Sequence, residues 1–328
     1  MPDTVRFMHV LTIGNALVDV LAHASDAQLA TIGLEKGSWG LLDADEAERL
    51  YEKMPPSVEI SGGCAANTAT GVVSMGGTAA YIGKVRDDQL GEVFTHDIKA
   101  VGVDYAIPAA TQGPPTGRCL ILVSPDGQRT MRPYLGAAHG LTPDDVDSSL
   151  VAAAEVTYLE GFLWDPPGAK DAFRKAIDAA HGAGRQVAFS LSDVVCIDAH
   201  GDEFRELLQQ GSVDVLFGNE DEALRLTGAG SVDDAAKQVQ EWCRLSALTL
   251  GAAGSLVVTP DGQRRVPAAP VEKVVDTTGA GDLYAAGFLY GLTHGADPAE
   301  CARLGGIAAA EIISHVGARP EVQLSTLL

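Results

Sequence analysis

Seven residues near the C-terminus, Asp276-Thr277-Thr278-Gly279-Ala280-Gly281-Asp282, carry what is needed to handle a negatively charged group and a proton together. The β-branched Val271–Val275 stretch before them reads as a strand, and Leu283–Leu292 behind them is rich in helix formers, so the glycines fall at a strand-to-helix turn. Gly279, Ala280 and Gly281 have little or no side chain to block a ligand. Their N–H groups can converge on one cluster of oxygens, with the positive end of the helix dipole behind them. Asp282 opens the helix. A carboxylate there suits the dipole but repels an anion, so it reads as the base that takes a hydroxyl proton. Helix capping and a tight turn would account for the glycines alone, but not for two threonines and a second carboxylate beside them.

The surrounding chain has 328 residues, is 46% hydrophobic and contains no low-complexity tract, enough for a large α/β core with a small appendage. A net charge of −21 with no offsetting Lys/Arg block argues against nucleic acid and against an anionic membrane surface. The expected partners are small molecules, and a nucleotide among them would need a divalent metal and local amides to neutralise it. Cys64, Cys119, Cys196, Cys243 and Cys301 form no CxxC and leave an odd one over, which suggests neither a disulfide framework nor a zinc knuckle. Phe7–Ile13 is apolar but brief, and no segment reaches the roughly 18 apolar residues of a membrane span. The expected location is a reducing compartment, the cytoplasm.

From the N-terminus, Val10–Ile13 reads as a strand running into GNALVDV, where Asn15 and Asp19 share one face of an extended segment. Ser38–Leu42 reads as another strand, followed by a helix from Asp43 through Met54. Gly62-Gly63 permit close backbone approach before a small-residue helix over Cys64–Met75, with Asn67 near its start. Cys64 has no histidine nearby in sequence and reads as a small buried residue, not a nucleophile. Gly77 to Gly83-Lys84 is one residue too long for a P-loop, with Val85 where Ser or Thr is required, and Gly14 stands alone where a dinucleotide fingerprint would need three glycines. Arg118–Val123 and Arg129–Tyr134 flank Pro125-Asp126-Gly127 as a hairpin, which with strands after Gly14 and around Ser38 makes a small separate sheet. Arg129 and Arg132 would reach a phosphate from it. A similar Thr259–Arg264 string marks a second hairpin turn.

From Glu155 onward strand and helix alternate: Thr157–Glu160, Pro167–His181, Gln186–Ser190, Glu203–Gln209, Val213–Phe217 and Glu220–Leu226. This gives a mostly parallel sheet, helices on both faces and ligands at the C-terminal strand edge. Ala247–Leu250 is a further strand leading into GAAG, and an alanine-rich helix closes at Gly317.

The DTTGAGD stretch with YAAGFLYGL behind it resembles the C-terminal signature of the phosphofructokinase-B, or ribokinase-like, sugar and nucleoside kinases. SGGCAANTATGVVSMGG resembles their N-terminal signature, and the resemblance runs from Val10 to Pro320. It implies a ribokinase-like three-layer α/β/α fold, with 1–15, 43–115 and 136–328 in a large unit and 16–42 and 116–135 in a small β lid. It also implies transfer of the γ-phosphoryl group of ATP to an alcohol, with Asp282 as base, the Gly279, Ala280, Gly281 and Asp282 amides as anion hole, and Mg2+ on the nucleotide. The substrate side is then Asn15, Asp19, Gly62, Gly63, Asn67, Leu135, Phe162 and Trp164. The nucleotide side is Asn219 and Glu222 of an Asn-x-x-Glu motif with Thr249, Gly251, Gly254 and Thr277. Glu222 would order magnesium through water, and Asp276 with Thr278 would hold a monovalent cation such as K+, as in several relatives. A monomer or a lid-mediated homodimer is implied. Cys64 stands where ribokinases carry lysine, and the GNALVD opening is similar to the adenosine kinase branch, so the implied acceptor is adenosine, although Glu160 and Trp164 depart from that branch's pattern. The alternatives are a free sugar as acceptor (ribose, a ketohexose or a keto-deoxy sugar acid) and a non-catalytic nucleotide-binding protein, which would have no need of Asp282.

Overall fold

Short β-branched runs and longer helix-period segments alternate along most of this chain, and that alternation decides its layers. A computed structural model describes residues 7–328; residues 1–6, assigned above to the large unit, lie outside the described residues. In chain order the strands are β1 Met8–Ile13, β2 Leu17–His23, β3 Val58–Gly62, β4 Ala79–Ile82, β5 Gly117–Val123, β6 Arg129–Tyr134, β7 Ala154–Glu160, β8 Gln186–Ser190, β9 Val215–Asn219, β10 Leu245–Thr249, β11 Ser255–Thr259 and β12 Gly262–Val266. The helices are α1 Asp26–Ile32, α2 Ala44–Tyr51, α3 Cys64–Ser74, α4 Gln89–Ala100, α5 Ser148–Ala153, α6 Pro167–Gly182, α7 Val194–Gln209, α8 Glu220–Thr227, α9 Val232–Trp242, α10 Ala280–Thr293 and α11 Pro298–Ile312.

Eight strands form the large sheet in the order β12-β11-β10-β9-β8-β7-β1-β4, parallel from β4 to β10 and antiparallel at β11 and β12. Neighbouring residues of one strand face opposite layers. Tyr158 and Phe217 pack with Leu283, Phe288 and Ala308 of α10 and α11, whereas Leu159 and Leu216 pack with Phe173 of α6 and Phe204 of α7. Period-two alternation on a parallel sheet thus produces the ribokinase-like α/β/α sandwich. Because β1, β7, β9 and β10 run the same way, Gly14, Glu160, Asn219 and Thr249 all come to one strand edge.

The second sheet has four strands in the order β3-β2-β5-β6. Only Gly14–Ala16 separate β1 from β2, so this sheet springs from the edge where the parallel strands end. The hairpin around Pro125-Asp126-Gly127 forms as expected, and Thr259–Arg264 closes the β11–β12 hairpin.

Several boundaries differ from the sequence reading. Val58–Gly62, placed above in the large unit, is an edge strand of the small sheet; Val58 and Ile60 alternate outward and are exposed. Ser38–Leu42 runs beside β6 but makes only one bridge, Trp39 to Met131, because Gly37 and Gly40 interrupt it and the Ser38 carbonyl accepts from Arg132 as well as from the Met131 N–H. Val271–Val275 forms no strand: it follows Pro267 and Pro270, leaves Val274 and Val275 exposed, and bonds only to the Ile313 carbonyl. The helix α7 begins at Val194, nine residues before Glu203, where Asp193 caps it. The last long helix stops at Ile312, not at Gly317.

Candidate active site

The Asp276–Asp282 loop enters α10 through Gly279, whose φ of +77° is left-handed and whose notional Cβ would lie 2.9 Å from that of Ala318. Asp276 shapes the turn from inside. Its Oδ1 accepts from the Thr278 N–H (3.1 Å) and hydroxyl (2.9 Å), and its Oδ2 accepts from the Gly317 N–H (2.9 Å) and pairs with Arg129. Arg129, placed above near a phosphate, therefore ties the small sheet to this loop, and its guanidinium supplies the cation that Asp276 faces. Arg132 is engaged by Ser38 and the Met131 carbonyl. The Ala280 N–H returns to Thr277, but the Gly281 and Asp282 N–H groups have no backbone partner among the described residues, and nothing lies within 4 Å of where a Gly281 Cβ would be. Open space before two free amides at a helix N-terminus is an anion cradle. Thr277 is exposed beside it.

Behind the cradle three carboxylates converge. Asp282, on the first turn of α10, accepts from Asn67 Nδ2 at 2.8 Å, and the Thr68 hydroxyl donates to its carbonyl at 3.2 Å. Small residues make this reach possible: a Cβ on Gly71 of α3 would lie 2.5 Å from that of Ala286, so α3 and α10 are in backbone-close contact. Asp19, from β2, lies against Gly62, where a Cβ would be 2.6 Å from its carboxyl. Gly63 has φ +94° and a notional Cβ 2.1 Å from the Asn15 carbonyl oxygen, so the glycine pair is required by sterics on both counts. Glu160, at the end of β7, is the third carboxylate; it bonds Asn15 and the Ala65 N–H.

Burial dominates the charges here. It raises Asp282 to about 6, against the lowering effects of the Asn67 and Cys64 bonds and of Arg319. Asp19 rises to about 6 for the same reason, with Arg319 and Arg129 opposing and Asp282 reinforcing. Glu160 rises to about 7. Burial also pushes the Cys64 thiol well up, with Asp282 and Glu160 adding to it, so it stays protonated and is no nucleophile. The nearby cation is Arg319, which donates to the Ser61 carbonyl and hydroxyl, the Ala66 carbonyl and the Thr70 hydroxyl.

At the strand edge expected to take the nucleotide, Thr249 and Asn219 are register partners at the ends of β10 and β9. Asn219 and Glu222 form a reciprocal cap of α8. Asn219 Oδ1 accepts from the Glu222 N–H, while the Asn219 N–H and Nδ2 donate to the two Glu222 oxygens at 2.9 and 2.6 Å. Burial raises Glu222 to about 7, so its first role here is to close a helix. Gly254 is held at φ +90°, its notional Cβ 2.1 Å from the Val266 carbonyl oxygen, whereas Gly251, at φ +57°, faces open space.

Trp164, expected on the substrate side, is buried in the structure. It is a core residue packed on Phe173, Phe189 and Phe204, with Nε1 donating to Glu203; its large ring, just past the turn after β7, fills the layer between β8 and α7. Phe162 is half-buried two residues past Glu160, its N–H donating to Ser192, and Leu135 is half-buried just past β6. Arg319 is absent from the sequence reading, since no local motif marks it, and Glu160 was named there only as a departure from a pattern, its signal being a lone carboxylate ending an apolar strand. Two surface grooves, one around Arg86 and Glu92 and one around Lys84 and Asp144, contain none of the three carboxylates. Among the described residues no helix is long and apolar enough to cross a membrane, and no group of three or more His, Cys, Asp or Glu is arranged to hold a metal ion.

Residues 43–324 match the family described as pfkB family carbohydrate kinase. The crystal structure of adenosine kinase from Sinorhizobium meliloti is 51% identical, with a TM-score of 0.92 and 98% of each chain covered. That of a probable sugar kinase from Rhizobium etli is 44% identical, also with a TM-score of 0.92 over 98% of each chain. The adenosine kinase of Saccharomyces cerevisiae is 29% identical over 94% of this chain and 95% of its own.

Proposed function

We propose, for a chain that belongs to the pfkB family of carbohydrate kinases, transfer of the γ-phosphoryl group of ATP to a hydroxyl of adenosine. The chain is a phosphotransferase acting on a hydroxyl group, and it binds ATP as the phosphoryl donor. The observation that carries adenosine as acceptor is the 51% identity, over 98% of both chains, to the Sinorhizobium meliloti adenosine kinase.

The site's own groups supply the steps. Asp282, ionised above about pH 6, accepts the hydroxyl proton as the oxygen attacks, and Asn67 holds it in place. Asp19 and Asn15 orient the acceptor's other hydroxyls. The free Gly281 and Asp282 amides, with the α10 dipole behind them, stabilise the charge that develops on the phosphoryl oxygens. ATP with Mg2+ supplies, when bound, the phosphoryl group and the positive charge that screens it. The cradle fits such an anion because its amides are unspent and a Cβ at Gly281 would meet nothing. Glu222 would reach magnesium through water, as its carboxylate oxygens each accept one bond from Asn219 and retain a lone pair. A K+ ion at Asp276 and Thr278 would have to share Asp276 Oδ2 with Arg129.

The small sheet is read as the lid. Exposed Val58 and Ile60 at one edge and Trp39 and Leu41 at the other support its use in a homodimer over a monomer, which sedimentation of the protein would test. Five free thiols fit the cytoplasm as the compartment.

The test is ADP release from MgATP with adenosine, other nucleosides, ribose, fructose and keto-deoxy sugar acids, with Asp282→Asn as control. Turnover on adenosine, lost in the variant, is the expected result. Turnover on a free sugar alone would overturn adenosine in favour of the second reading, which the 44% identity to the Rhizobium etli probable sugar kinase supports.

A further inference from the structure

Glu160 is a buried carboxylate to which the chemistry above gives no role. It is 1% exposed, and both its oxygens are committed: Oε1 accepts from Asn15 Nδ2 at 2.8 Å and Oε2 accepts from the Ala65 N–H at 2.9 Å. Gly14 leaves it room, since a Cβ there would lie 2.2 Å from Oε2. Ala65 is the second residue of α3, whose N-cap is Gly63 and brings no side chain, so Glu160 caps that helix from another strand.

Glu160 Oε1 accepts here, so the face of the Asn15 amide that meets it is Nδ2. Oδ1 is thereby turned away, and it lies buried without a partner. The same arrangement recurs at Asn67: Nδ2 is spent on Asp282, and Oδ1 is buried without a partner. An unpaired buried acceptor costs free energy in the empty protein, and a ligand that donates to it recovers that cost. Two carboxylates thus turn two amides the same way, and with Asp19 the groups left over are acceptors.

We propose that Glu160 is a positioning residue for the phosphoryl acceptor: it locks the Asn15 amide so that its oxygen is the atom left for the substrate, which selects a ligand bringing several hydroxyl donors. This rests on the reading of the site as a kinase for a hydroxylated acceptor.

The test exchanges amide and carboxylate between the two positions. In Glu160→Gln, the side-chain oxygen still accepts from Ala65, so the α3 cap survives. The new amide nitrogen now faces Asn15, whose own amide must turn over and offer a donor where it offered an acceptor. In Asn15→Asp, two carboxylates face each other. In the double variant the amide introduced at position 160 donates to one oxygen of the carboxylate introduced at position 15, and the other oxygen remains an acceptor, at unchanged net charge. The measurement is KM and kcat of all four proteins for the acceptor that the parent turns over, with thermal melts alongside. The expected result is a rise in KM of about tenfold or more in each single variant, kcat changed by no more than about threefold in Glu160→Gln, and KM in the double variant restored to within about threefold of the parent. A Glu160→Gln protein with the parent's KM, or a double variant no better than its worse single, overturns the proposal. If one single variant fails to fold, the double variant must still outperform the other. A parent that turns over no acceptor would bring down the kinase reading and this one with it, whereas a working parent without rescue would remove only the role of Glu160.

Discussion

Replacing Asp282 with asparagine should make the protein more stable while removing most of its activity. The carboxyl sits at about 6 against an ordinary 3.8, so at pH 8 the folded state holds a charge that its surroundings disfavour. A rise of about two units corresponds to a penalty of at most ~3 kcal/mol. Asparagine removes the charge and keeps a partner, since its Oδ1 can still accept from Asn67 Nδ2. Allowing for imperfect reseating of the amide, ~1–3 kcal/mol of added stability is expected, which at about 2.1 cal/mol/K per residue over a chain of this length raises Tm by ~1–4 °C. The kinetic effect has the opposite sign. An amide cannot take the hydroxyl proton, and loss of a positioned base lowers kcat by about 10²–10⁴-fold, with KM nearly unchanged because Asp19 and Asn15 remain. Differential scanning calorimetry and a coupled ADP assay at pH 8 measure the two. A kcat within tenfold of the parent refutes Asp282 as the base, and a lowered Tm refutes the account of a charge held against its environment.

Three further outcomes follow from the same geometry. Asp282 must be ionised to act, so kcat/KM should fall as pH drops through about 6. Over pH 8 to 5 stability should rise instead, because Asp19, Glu160, Glu222 and Asp282 all have folded pKa values above their unfolded ones and take up protons on folding, outweighing the half-buried, lowered His9 and His139, which act the other way. Parallel pH profiles of activity and of urea midpoint would contradict this. Gly63→Ala forces a left-handed φ on alanine and puts a Cβ 2.1 Å from the Asn15 carbonyl oxygen, so Tm should fall and kcat/KM should drop about tenfold or more; a neutral variant would mean that the loop shifts freely. Arg129→Gln leaves Asp276 buried without its cation, so the variant should melt lower, and KCl should raise its Tm more than tetramethylammonium chloride at equal ionic strength does, an effect much weaker in the parent; equal shifts in both proteins would show that Asp276 binds no monovalent cation when free.

The parallel sheet was legible because its strands and helices alternate at their own periods, and the anion loop because few structures need Gly-Ala-Gly between threonines and an aspartate. Asp19 and Asn67 were reached through the motifs in which they sit. What escaped the sequence depends on contacts between distant segments. Arg319 touches Ser61, Ala66 and Thr70, some 250 residues earlier, and no periodicity announces such a contact. The packing of Trp164 on Phe173, Phe189 and Phe204 was not legible, because an aromatic residue after a strand serves equally as a ligand platform or as core. Val271–Val275 carried β-branched residues without a neighbouring strand, and propensity alone does not make a ladder.

The two arginines near the site treat their carboxylates differently, and the difference suits the work each carboxylate does. Arg129 pairs directly with Asp276, whose other bonds fix Thr278 and Gly317; this carboxylate shapes the turn and gains from being held. Arg319 lies close enough to lower Asp19 and Asp282 electrostatically, yet its donations go to Ser61, Ala66 and Thr70 on β3 and α3. A direct pair with Asp282 would occupy the oxygen that we propose receives a proton and would depress its basicity. A guanidinium anchored on neighbouring backbone supplies field without occupying the carboxylate. It also braces the segments that carry Gly62 and Asn67, so the charge that tempers the proposed base and the contacts that place it come from one side chain. That is why burial can dominate and leave Asp282 at about 6, ionised at neutral pH and still basic enough to take up a proton.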